Sequence, residues 1–145
     1  MNKAAAFLTL SISPLLVLGG CGDDSSPRWI DGGTHVALVS ELSLPDTIMA
    51  SDSLRITLSA TLLQPTGRPT FAVLETQRST HRLEATVWAD VDLWAGAGPM
   101  PPTDLTVLEG YTHVEPPPFA LGPFEVVLTQ PDGTALADTV HVAGG

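Results

Sequence analysis

The clearest signal in the chain is an alternation of apolar and polar residues with period two. Leu54, Ile56, Leu58, Ala60 and Leu62 are separated by Arg55, Thr57, Ser59 and Thr61. Successive side chains of an extended chain point to opposite sides, so this pattern predicts a strand with one buried and one wet face. The alternation recurs with Ala85, Val87, Ala89, Val91 and Leu93 on one face and Glu84, Thr86, Trp88, Asp90, Asp92 and Trp94 on the other. Less regular stretches at 35–42, 70–77, 105–114, 124–130 and 134–142 are rich enough in β-branched and aromatic residues to read as further strands. Turn formers punctuate them at Ala50-Ser51-Asp52, Gln64-Pro65-Thr66-Gly67, Pro99 to Asp104, Pro116-Pro117-Pro118 and Pro131-Asp132-Gly133. The last of these, between two strand candidates, predicts a terminal hairpin. About seven strands at regular spacing, with prolines in the connections, predict an all-β antiparallel sandwich over residues 34–145. A small barrel and a jelly roll are the runner-up folds.

The N-terminal segment follows a different rule. Lys3 precedes an uncharged, mostly apolar run over residues 4–18, which is shorter than the ~20 residues of a spanning helix and is interrupted by Pro14. It reads as an export signal over residues 1–20. Directly after it, Leu18-Gly19-Gly20-Cys21 resembles the lipobox of bacterial lipoproteins, and Cys21 is the single cysteine of the chain. The resemblance implies cleavage between Gly20 and Cys21, a thioether-linked diacylglycerol on Cys21 and an acylated α-amine, such as a palmitoyl amide. Several acyl chains, at ~0.8 kcal/mol per buried CH₂, would hold the protein on a membrane permanently. Gly22, rather than an aspartate, follows Cys21, which by the enterobacterial sorting pattern points to the outer rather than the inner membrane. The second resemblance is to the immunoglobulin-like and fibronectin-III-like modules of bacterial surface lipoproteins. It covers about residues 34–143 and rests on the order of elements; the inter-sheet cysteine pair of antibody domains is absent.

Between these parts, residues 21–33 read as a lipidated cysteine and a polar tether, which from Gly22 on could reach ~40 Å if extended. Trp29 and Ile30 interrupt its polarity, and two readings stand for them: the start of the first strand, or a segment lying against the domain.

Composition narrows the function. The chain has 145 residues with 16 acidic against 6 basic side chains and a mean hydropathy of +0.22. Removing residues 1–20 discards the sole lysine and moves the formal charge from −10 to −11. Five scattered arginines cannot neutralise a phosphate backbone, so nucleic acid is not an expected partner. With no lysine or asparagine left, Schiff-base chemistry and N-glycosylation are excluded.

The strongest candidate binding face is Trp88, Asp90, Asp92 and Trp94, which the alternation places together on the outward side of one strand. Indoles so spaced can stack on sugar rings or partner side chains, and the carboxylates between them can accept hydroxyl hydrogen bonds. The competing reading has the tryptophans covered by another strand, a loop or the tether. Asp90 and Asp92 lie ~7 Å apart by strand rise, yet an open sheet face offers no cleft to raise an acid's pKa. Two aspartates are also too few for calcium, which takes ~6–8 oxygens. His35, His81, His113 and His141 carry no metal-ligand spacing, and His113-Val114-Glu115 suggests a surface ion pair. No G-x-S-x-G, H-E-x-x-H or P-loop occurs. The expectation is therefore a lipid-anchored envelope protein without catalytic residues, metal or cofactor, whose domain binds another envelope protein or serves structurally. The alternative is a carbohydrate or small-ligand module using the Trp88–Trp94 face.

Overall fold

The computed structural model describes residues 26–63 and 67–145. The expected signal segment, Cys21 and the first residues of the expected tether lie outside the described residues, as does most of the turn expected at Gln64-Pro65-Thr66-Gly67. The described chain is all-β, with two sheets and the strands β1 (Arg28–Val36), β2 (Leu38–Ser43), β3 (Thr47–Met49), β4 (Leu54–Thr61), β5 (Gly67–Arg78), β6 (Arg82–Ala95), β7 (Thr106–Glu115), β8 (Gly122–Thr129) and β9 (Ala135–Ala143).

The two strands expected from strict alternation are β4 and β6, and every expected inward residue on them is buried except Leu93, which is half-buried at the end of β6. Pro131-Asp132-Gly133 does turn β8 into β9. Three features depart from the expected sandwich. Nine strands form rather than seven, because the stretch from 35 to 42 splits into the end of β1 and β2, and the short β3 is added. The large sheet is mixed rather than antiparallel, with β6·β8 and β3·β9 parallel. Residues 28–33, expected within the tether, instead belong to β1, which pairs antiparallel with β6 from Arg28↔Ala95 to Val36↔Trp88, so that of the two readings of Trp29 and Ile30 the start of the first strand holds.

The large sheet is organised by β6, whose 14 residues serve three partners. One edge pairs with β5 along most of its length. The other is divided between β8, against Arg82–Ala85, and β1, against Trp88–Ala95. Sheet order continues from β8 to β9 and β3. The second sheet is β2-β4-β7. Leu54, Ile56 and Leu58 of β4 face Leu83 and Val87 of β6, Phe124, Val126 and Leu128 of β8 and Val140 and Val142 of β9 across the interior. Full burial of each large side chain contributes ~1.5–3 kcal/mol. A smaller cluster of Leu62, Ala89 and Val91 continues the core toward the C-terminal end of β6.

The chain passes from the large sheet to the small one between β1 and β2. The Ala37 amide still donates to the Val87 carbonyl of β6 at 2.8 Å. Two residues later the backbone has left that ladder, and a side chain takes over. The buried Gln130 amide accepts from the Val39 N–H at 3.0 Å and donates to the Val39 carbonyl at 3.1 Å, reproducing the paired bonds of a strand neighbour.

The opposite end of the molecule is held by Arg78. It donates to Glu115 at 3.3 Å and to the carbonyls of Pro116 and Pro118, and its guanidinium lies 4.2 Å from the Phe119 ring centroid. His113 meets the other Glu115 oxygen at 3.0 Å. The expected His113–Glu115 pair therefore forms, but at a nearly buried carboxylate rather than on the open surface. All five arginines of the chain lie on strands: Arg28, Arg55, Arg68, Arg78 and Arg82.

Two outcomes follow from these contacts. Gln130→Ala is expected to lower the unfolding free energy by about 2–3 kcal/mol, because both Val39 groups then lose their partner in a buried site; a loss in urea denaturation no larger than that of an ordinary surface substitution would contradict the role. Asp132 accepts from the Thr134 hydroxyl at 2.7 Å and from its amide at 2.9 Å, which together lower its pKa, the hydroxyl most. A carboxyl lowered in the folded state contributes stability above its unfolded pKa and loses it as pH falls through the folded value. NMR titration should place Asp132 below an ordinary aspartate, and Thr134→Val should raise it.

Candidate functional site

The outer face of β1, β6 and β5 carries the residues singled out by the alternation, and two bulges decide who joins them. On β1 the register slips between Asp31, opposite Asp92, and Thr34, opposite Asp90. Without the extra residue Gly33 would take the outward place; with it, Trp29, Asp31, Thr34 and Val36 all project to the same side. Gly33 adopts a left-handed φ of 79° there. At Gly32 a Cβ would lie 2.5 Å from the Leu93 side chain, so only glycine fits. On β5 a matching slip between Pro69, opposite Val91, and Phe71, opposite Asp90, brings Arg68 and Phe71 to the same outer side. Gly67 presses on Val91 from this flank, where a Cβ would meet its Cγ1 at 2.6 Å.

The resulting face is a grid whose members are matched to one another. At one end Trp94 meets Trp29 edge to face, with ring centroids 5.3 Å apart and planes at 65°. The Arg68 guanidinium carbon sits 4.4 Å from the Trp29 ring centroid, while its nitrogens bind Asp92 at 2.9 and 3.2 Å. In the next row Asp90 accepts from the Thr34 hydroxyl at 2.7 Å. Beyond it, the Trp88 indole donates to Glu75 at 2.8 Å. Trp88, Asp92 and Trp94 are half-buried, and Asp90 is exposed. The structure thus places the four expected residues on one face, as the alternation requires, and gives each an intramolecular partner.

Trp29, Thr34, Arg68 and Glu75 were not among the expected site residues. The alternation of Trp29 with Asp31 was a signal for the first, but the Gly32-Gly33 pair ends it. For Arg68 there was none, since Pro69 and the bulge at Thr70 scramble the period of β5.

Beside this face lies apolar surface that has not been matched. Phe71 is 64% exposed and Val73 48%. They stand on β5, whose outer edge is paired to no other strand among the described residues, and Phe71 borders a groove toward β7 of about 370 Å³ lined also by Pro69, Thr106 and Leu108. A second concavity of about 380 Å³ is bordered by Trp88, Thr34, Val36, Leu62, Leu63 and Pro131. Its histidine, His35, lies within hydrogen-bond reach of the Gly32 carbonyl through Nε2, at 2.8 Å. Among the described residues no group of three or more His, Cys, Asp or Glu is placed to hold a metal ion. Comparison with protein-family models, with curated proteins and with solved structures returns no match.

If the two indoles support each other, the double-mutant cycle of Trp29→Ala and Trp94→Ala should show a coupling of about 0.5–1.5 kcal/mol in unfolding free energy. Additive losses would mean that the rings are merely neighbours.

Proposed function

We propose that the protein is a lipid-anchored component of a bacterial cell envelope, held by acyl chains on Cys21, whose β-domain is a non-catalytic module that docks another envelope protein. The anchor follows from the lipobox resemblance of Leu18-Gly19-Gly20-Cys21. The outer membrane is its expected site, from Gly22 after the cysteine. We read the domain as a variant of the immunoglobulin-like modules, with added strands and a mixed sheet.

The observation that favours docking of a protein over binding of a sugar is the distribution of partners on the outer face. The indoles and carboxylates that a sugar would need are already engaged by Trp29, Thr34, Arg68 and Glu75. The exposed Phe71 and Val73, on an edge strand, offer the apolar area and free backbone groups that protein partners use. The formal charge of −11 repels nucleic acid and favours neutral or cationic partners.

A photo-crosslinking amino acid at Phe71 should capture a specific envelope protein in cells, and one at Arg55, on the other sheet, should not. Cys21→Ala should release the protein from the membrane fraction. Retention of that variant on membranes after a high-salt wash would sink the anchor. Glycan-array binding abolished by Trp88→Ala would instead favour the carbohydrate reading.

A further inference from the structure

Resting on the lipid anchor proposed above, we infer that the end of the sandwich built by Trp29, Trp94, Arg28 and the 95–103 loop is a membrane-docking surface that sits on the bilayer with both indoles at headgroup level. Chain length is the first argument. Because β1 begins at Arg28, already paired with Ala95, only the segment from Cys21 to Arg28 separates the lipid from the folded domain. That segment spans at most ~25 Å when fully extended. The far end of β6 is ~45 Å away by strand rise, so the Ala95 end is the one the anchor keeps close to the membrane.

The chemistry of that end is the second argument. Residues 95–103 read Ala-Gly-Ala-Gly-Pro-Met-Pro-Pro-Thr, with no ionisable side chain. The loop lies beside the start of the described chain, since a Cβ on Gly98 would be 3.9 Å from Pro27. Ile30 is 41% exposed at the same end, and Trp29 and Trp94 are half-buried. Indoles favour the membrane–water boundary because they present an apolar body and a polar N–H. Within the folded face Arg28 and Arg68 offset Asp31 and Asp92 across adjacent rows. Asp23, Asp24 and Asp104 flank it in sequence, so the indoles and the apolar loop, rather than charge, carry the docking.

Trp88 supplies an internal control, because it lies ~20 Å from Trp94 along the same strand. The full lipidated chain is reconstituted into phosphatidylethanolamine and phosphatidylglycerol vesicles containing lipids brominated near the headgroup or deep in the acyl chain. With Trp88→Phe, leaving Trp29 and Trp94, fluorescence is expected to fall strongly with shallow bromination and less with deep. With Trp29→Phe and Trp94→Phe combined, leaving Trp88, it should stay unchanged. A second measurement leaves the tryptophans intact: a nitroxide on Met100→Cys should be reached by lipid-soluble oxygen, and one on Leu121→Cys, at the far end, by aqueous nickel chelate. Vesicles that float with bound protein yet quench neither tryptophan set, or both equally, would overturn the docking while sparing the anchor. Failure to float overturns the anchor and the docking with it.

Discussion

A chain that crosses from one sheet to another must hand over its backbone hydrogen bonds in the interior, where an unmet amide or carbonyl costs about 1–3 kcal/mol. Here the handover falls on one side chain. Gln130 receives the Val39 N–H and donates to its carbonyl just after Ala37 has made its last bond to β6. That exchange lets β1 and β2 belong to different sheets and closes the sandwich along one side. The covalent crossing and the amide clamp draw the sheets together there. On the other side β5 and β7 face each other without pairing, and the groove bordered by Phe71, Thr106 and Leu108 is the result. One closed flank and one open flank are therefore parts of a single arrangement.

The second organising device is the pair of bulges that flank Val91. Each inserts one residue into a neighbour of β6, and Gly32 and Gly67 let those neighbours approach closer than a Cβ would permit. The core side gains tight packing at a strand that has only small or medium residues to offer. The outer side gains alignment, with Thr34 beside Asp90 and Arg68 beside Asp92. A face with so many internal partners is preorganised. It is also costly for a ligand to enter, because each group it takes must first leave a hydrogen bond or a stacking contact.

How much of this was legible in the sequence depends on locality. Leu54–Leu62 and Ala85–Leu93 were readable because each alternation needs nothing beyond the strand itself, and the terminal hairpin because its turn chemistry is contiguous. Thr47–Met49 was not, since three residues after Pro45 hold no period and the strand exists through pairing with His141–Ala143. The parallel pairing of β6 with β8 brings together Leu83 and Val126, a relation no local pattern encodes. The outward face of Trp88, Asp90, Asp92 and Trp94 followed from period two. Its partners did not, because bulges shift the period by one at the points where they matter.

The placement of the basic residues has a consequence for resistance to proteases. Enzymes of the trypsin type cut after lysine or arginine and need the target backbone extended and free in their cleft. Beyond residue 20 the chain has no lysine, and each arginine lies on a strand rather than in a loop. Arg55 and Arg68 have backbones within paired strands, and Arg78 is held by Glu115 and two proline-loop carbonyls. Digestion at these sites must wait for the strand to open, so its rate reports local unfolding rather than surface encounter. The loops, which carry neither lysine nor arginine, can remain exposed without giving such an enzyme a place to cut.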